Sequence, residues 1–342
     1  MKNLLRTSVF GLACSICLTP AGSSASSPSA PKNDVLLSTM QQELRRAHDS
    51  LAKLDPAPYF LSYSVQDKSL VFAIASEGSL LSSTFGRRRS ADVIIRIGTP
   101  ALDNAHEDNR SSAIISGTLP LEDDRNAIAR VLWRLTCEEY RKASRAFANV
   151  KTSTQVHAQE EDTSPDFSTE TPQTHTDYGS IGALPEQQKL ETLVRQFSSY
   201  FRKYPFVYNS MVIATIERTH SHYISSEGTQ VVTPSAMVRV SVDAETRADD
   251  GMELMRVETF QAETLEQLPV ASEVAARVEK MATDLKALRA APVAEPFDGP
   301  ALLSGRATAV FFHEVLGHRL EGHRQRGEKE GQTFTKKVNQ MA

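Results

Sequence analysis

Leu70-Val71-Phe72-Ala73-Ile74-Ala75-Ser76-Glu77-Gly78-Ser79-Leu80-Leu81-Ser82-Ser83-Thr84-Phe85 is an apolar run, a Ser-Glu-Gly turn signal and a second run of strand-forming character. Such a pattern predicts two antiparallel strands joined by a short turn, with the glycine taking the backbone conformation that other residues resist. The chain returns to it at Ser221-His222-Tyr223-Ile224-Ser225-Ser226-Glu227-Gly228-Thr229-Gln230-Val231-Val232, 150 positions later by the glycines of the two turns.

The surroundings of the two turns also correspond. Ahead of the first, Leu37, Met40, Leu44, Ala47, Leu51 and Leu54 recur at helical spacing until Pro56 and Pro58. Strand-like runs follow at Tyr59 to Val65 and, after the turn, at Val93 to Ile97. A polar loop is expected from Thr99 to Gly117, then a helix from about Asp124 to Val150. Ahead of the second turn, Pro185 opens a helix that buries Leu190, Leu193, Val194, Phe197, Phe201 and Tyr204, and Pro205 closes it. Runs at Val207 to Ile216 and Ala236 to Val242 flank the turn, and a helix from about Leu268 to Arg289 ends the unit. The fold class read from this order is α+β, antiparallel sheets packed with helices. The repeat reads either as a duplicated helix–strands–helix unit or as coincident patterning.

This gives a division into residues 1–25, an export signal; 26–150, the first unit; 151–184, a polar linker or long loop; 185–300, the second unit; and 301–342, a metal-motif helix with the start of a C-terminal domain. The signal rests on Lys2 and Arg6, a short apolar run from Thr7 to Leu18 and the small residues Ser23-Ser24-Ala25. That run is too short to remain as a membrane span. The expected location is therefore periplasmic or secreted, with no membrane span after signal removal. Cys14 and Cys17 lie inside the signal, so Cys137 alone remains and no intrachain disulfide is expected. A net charge of −4 and a pI near 6.2 give no general attraction to nucleic acid. Arg87-Arg88-Arg89 is the one dense basic cluster and is expected in a solvated turn.

The chemistry lies near the C-terminal end, in Phe311-Phe312-His313-Glu314-Val315-Leu316-Gly317-His318-Arg319-Leu320-Glu321-Gly322. Two imidazoles can bind Zn²⁺, and a carboxylate beside the first can take a proton from metal-bound water. In a regular α-helix residues five apart lie about 140° apart around the axis, so His313 and His318 would not share a metal. A single-turn π-bulge would bring them together, and Gly317 is where that distortion should cost least. Glu321 is a candidate for orienting a histidine ligand from behind.

With its apolar entry Val310-Phe311-Phe312, the run His313 to Gly322 resembles the metal-bearing, TldD-like branch of the TldD/PmbA metalloproteases. The Ser-Glu-Gly turns and their helix–strand order resemble, more loosely, that family's N-terminal domain. The resemblance implies His313 and His318 as zinc ligands, Glu314 as general base, and peptides or unfolded polypeptides as substrates. It also implies a homodimer or a heterodimer with a sister subunit. The family usually carries an acidic residue where this chain has His323, and its third ligand is a cysteine in a downstream C-terminal domain. The sequence stops at Ala342 in what reads as an unfinished element, so that ligand is expected from outside it.

Other ligand candidates carry less. His323 would have to fold back past a helix stop at Gly322. Cys137 reads as a small buried residue, and His220 and His222 as residues of an exposed strand edge. No Gly-rich phosphate loop, Gly-x-Ser-x-Gly elbow or Cys-x-x-Cys pair occurs. The expected activity is zinc-dependent peptide hydrolysis; the alternative is a truncated, non-catalytic binding or dimerisation module.

Overall fold

The computed structural model describes residues 34–106, 113–156, 165–179 and 187–321. The export signal with Cys14 and Cys17, the Pro185 helix start, the Gly322 stop, His323 and the segment that follows lie outside the described residues. The elements run α1 (Val35–Leu51), β1 (Pro58–Ser76), β2 (Ser79–Thr99), β3 (Leu102–Asp103), β4 (Ile114–Leu119), α2 (Arg125–Val156), β5 (Thr174–Thr176) and α3 (Gln187–Ser199). They continue with β6 (Asn209–Ser225), β7 (Gln230–Arg247), β8 (Glu253–Ala262), α4 (Ala271–Arg289), α5 (Gly305–Phe312), a π-turn at His313–Gly317 and α6 (His318–Leu320).

One eight-stranded sheet holds the fold together. Its main strands lie in the order β4-β2-β1-β6-β7-β8; β3 adds to the end of β2, and β5 pairs with β7, the one parallel contact among the described residues. The α+β architecture expected from the sequence is therefore present. Two apolar cores sit on one face of the sheet, near opposite ends of β1, because Leu61, Tyr63, Val65, Val71, Ala73 and Ala75 share one side of that strand. The first core takes α1 and α2, through Met40, Leu44, Ile128, Leu132 and Leu135. The second takes α3 and α4, through Leu190, Val194, Val278 and Leu285. Each such side chain, fully buried, contributes about 1.5–3 kcal/mol before the entropy of ordering it is subtracted.

The strands are longer than the sequence predicts. Runs separated by polar residues fuse into β1 and β2, because the interruptions lie opposite one another: Asp67, Lys68 and Ser69 pair with Arg89, Arg88 and Arg87. The arginine cluster is thus within a strand rather than in a solvated turn. Arg89 is almost fully buried; its guanidinium donates to Asp67 at 3.0 Å and to the Pro120 carbonyl at 3.1 Å, and pairs with Asp123 at 3.1 Å. A charge that reads as loop chemistry in one dimension is a cross-strand ion pair in three.

His220 and His222 are corrected in the same way. They lie on β6, a central strand, and not on an exposed edge. His222 is buried, with Nε2 3.0 Å from Asp34, whose other carboxylate oxygen accepts the Leu37 amide at 2.7 Å and caps α1. Tyr178 donates to the same carboxylate at 2.7 Å, and His220 Nε2 lies 3.1 Å from the Tyr178 carbonyl. Burial alone would raise the Asp34 carboxyl; hydrogen bonds from His222, the Leu37 amide and Tyr178 more than reverse this and hold it at about 2.

The span expected as a polar linker is held to the body where it is described. β5 pairs with β7, Phe167 packs on Phe60 with ring centroids 4.9 Å apart, and Asp166 accepts the Asp103 amide at 2.8 Å. The Thr99–Gly117 loop likewise contains β3 and part of β4, and β8 lies where no strand is expected.

The two-unit reading has a geometric counterpart. β1 and β6 are the central pair, matched from Ser62↔Ser225 to Ala75↔Val212. Advancing Ser62 and Ala75 by the 150 positions that separate Gly78 from Gly228 gives Val212 and Ser225, so the ladder maps onto itself. In order along the sheet, β4-β2-β1 with α1 and α2 has its counterpart in β8-β7-β6 with α3 and α4.

Candidate metal centre

The C-terminal described segment, residues 305–321, is apolar without a core of its own. Val310, Phe311, Phe312, Val315, Leu316 and Leu320 are all exposed and spread around the axis. Ser304 precedes the first turn, where the Thr308 amide donates to its carbonyl at 2.8 Å. Arg306 joins this helix to the sheet: its guanidinium donates to the Val257 carbonyl at 2.9 Å and to the Glu258 carboxylate at 3.0 Å, both on β8.

The distortion that five-residue spacing demands is present. The backbone widens into a π-turn over His313–Gly317, where the His318 amide donates to the His313 carbonyl five residues earlier. The two imidazole rings consequently lie 4.6 Å apart between centroids, on one side of the helix. Glu314 reaches both, with carboxylate oxygens 3.9 Å from His313 Nε2 and 3.7 Å from His318 Nε2. One ligand atom from each of His313, Glu314 and His318 falls within 4.8 Å of the others, the only such trio of His, Cys, Asp or Glu among the described residues. Two neutral imidazole nitrogens and a carboxylate are donors that suit Zn²⁺ or a similar divalent ion. The trio is open to solvent, with side-chain exposures of 65% for His313 and 61% for Glu314, against 32% for His318.

Gly317 does not play the steric part expected of it. Its φ of −54° and ψ of −59° are ordinary for a helix, and a Cβ there would meet the Phe312 carbonyl and His313 Nδ1 at 3.9 and 4.0 Å, normal contact distances. Glu321 does touch the site: its carboxylate accepts from His318 Nδ1 at 2.8 Å. Cys137, half-buried on α2, and the strand histidines are not part of the trio. Arg306 was not legible as part of this region, because its partners lie 48 and 49 positions away in sequence.

No family model and no curated protein matches the sequence. Among solved structures, TldE from Thermococcus kodakarensis is 13% identical, with a TM-score of 0.43, over 72% of this chain and 47% of its own. A candidate modulator of a DNA gyrase from Thermotoga maritima is 13% identical, with a TM-score of 0.41, over 71% of this chain and 48% of its own. A second candidate gyrase modulator, from Bacteroides thetaiotaomicron, is 11% identical, with a TM-score of 0.39, over 70% and 49%. The chain spans about half the length of these structures.

Proposed function

We propose that the chain carries the metal helix of a TldD-like zinc peptidase that hydrolyses peptides or unfolded polypeptides. One observation carries this reading: the π-turn sets two imidazoles 4.6 Å apart with the Glu314 carboxylate within 4 Å of a nitrogen on each. His313 and His318 would hold the cation, and a third protein ligand would come from outside the described residues, since zinc sites use at least three. When bound, such an ion supplies Lewis acidity toward water and toward a peptide carbonyl. Glu314, exposed and beside both rings, accepts the proton of the attacking water and returns it to the leaving amine. The same reading places the protein outside the cytoplasm and pairs it with a second subunit of its kind; its supports are the apolar N-terminal run and the family resemblance.

The test is metal analysis of the purified protein beside peptide cleavage by the wild type and Glu314→Gln. Zinc retained in both, with cleavage falling by about 10²–10⁴-fold in the variant, is the expected outcome. The alternative is a non-catalytic binding or dimerisation module, favoured by the presence of only two imidazoles in the trio. Absence of both zinc and cleavage selects it.

A further inference from the structure

We infer that Glu321 is a positioning residue that selects which nitrogen of His318 faces the metal. A neutral imidazole carries its proton on one nitrogen and a lone pair on the other, and a carboxylate can only accept. Glu321 lies 2.8 Å from His318 Nδ1, so that nitrogen bears the proton and Nε2 is left bare. Nε2 is also the atom directed at the trio, 3.7 Å from Glu314. The contact follows from helical spacing: residues three apart share a face, and Glu321 keeps a helical φ of −60° even though the chain leaves the helix after it, at ψ 120°. His313 lies on the same turn, twice as exposed, and among the described residues its carboxylate contact is the distant one to Glu314 at 3.9 Å. The two imidazoles are therefore unequal: His318 is set in advance with Nε2 forward, while His313 is set by the cation itself. Glu321 acts on the site through His318, fixing its ring plane and strengthening its donor nitrogen.

Two measurements test this, and only the second rests on the zinc reading above. In the metal-free full chain at about pH 8, above the ordinary imidazole value of about 6.5, histidine-selective ¹⁵N long-range spectra report the tautomer, with His318 assigned from its loss in His318→Gln. The Nδ1–H form is expected for His318 in the wild type, and a mixture of forms in Glu321→Ala. A wild-type spectrum dominated by the Nε2–H form overturns the inference. Zn²⁺ affinity, measured by competition with a chromophoric chelator, is expected to weaken about 10–100-fold in Glu321→Ala. Glu321→Gln, whose amide oxygen can still accept from Nδ1, should recover much of that loss at unchanged thermal stability. Equal Zn²⁺ affinity in wild type and Glu321→Ala overturns the inference while leaving the zinc reading intact. A wild type that binds no Zn²⁺ overturns the zinc reading, and the tautomer then decides the role of Glu321 alone.

Discussion

Glu139 shows how a single side chain can carry a pH dependence that no motif announces. It lies on α2, fully buried, and among the described residues neither carboxylate oxygen has a hydrogen-bond partner. Lys142 Nζ approaches to 3.8 Å but donates at 3.0 Å to the Ile114 carbonyl. Burial raises the carboxyl from 4.5 to about 7, with Lys142 opposing the shift. The folded state therefore binds this proton more tightly than the unfolded chain. That contribution to stability is full below about pH 4.5 and is lost as pH rises to about 7. Glu139→Met, which keeps the length and removes the charge, should stabilise the protein by on the order of 3 kcal/mol more at pH 8 than at pH 4.5. Urea unfolding at the two pH values measures the difference; equal gains at both would show that Glu139 is not the titrating group. Asp34 works in the opposite sense. Its carboxyl is held at about 2, so the stability from its cap is present above the ordinary carboxylate range and lost on acidification toward pH 2. The buried histidine partner of this cap, 188 positions away, was not legible in the sequence.

At the level of elements, two glycines separate what a turn needs from what a helix tolerates. Gly98, near the end of β2, has φ of +114°, and a Cβ there would lie 2.5 Å from both the Leu102 carbonyl and the Phe147 ring. Gly98→Ala should cost about 3 kcal/mol or more, from backbone strain and overlap together, seen as a lower denaturation midpoint. Gly317→Ala is expected to behave oppositely, with stability unchanged or raised by up to about 1 kcal/mol and Zn²⁺ affinity within a few-fold of wild type. Loss of the helical signal from the 305–321 segment, or loss of metal binding in that variant, would return to Gly317 the part its spacing suggested. The π-turn itself was legible from the five-residue spacing of two histidines that need one cation. The long strands β1 and β2 were not, because the polar stretches at their centres read as loops until each is seen opposite the other.

For the whole molecule, the central β1–β6 ladder makes the two helix–strands–helix units share one sheet, so each unit's unfolding exposes the other's edge. Calorimetry of the full chain should show one cooperative transition for the sheet and its four packed helices; two separated transitions would mean that the ladder does not couple them. The metal helix should stand apart from that event. It has no buried residue in α5, the π-turn or α6, and Arg306 is its hydrogen-bonded link to β8. Removing metal with a chelator should therefore shift the main transition by less than about 2 °C, since a bound ion stabilises only the unit it binds. A shift of many degrees would place the ion's contacts within the core.

Local pattern alone determined the helices, the two Ser-Glu-Gly turns, the α+β class and the His313–Glu314–His318 motif, because apolar period, turn residues and ligand spacing are all short-range properties of a chain. Tertiary structure decided the rest: the continuous sheet across both units, the burial of Arg89 and His222, the packing of the presumed linker, and the atom of His318 that faces its neighbours. Each of these depends on partners brought together from distant positions, and a charge or imidazole has no burial and no direction until such a partner is beside it.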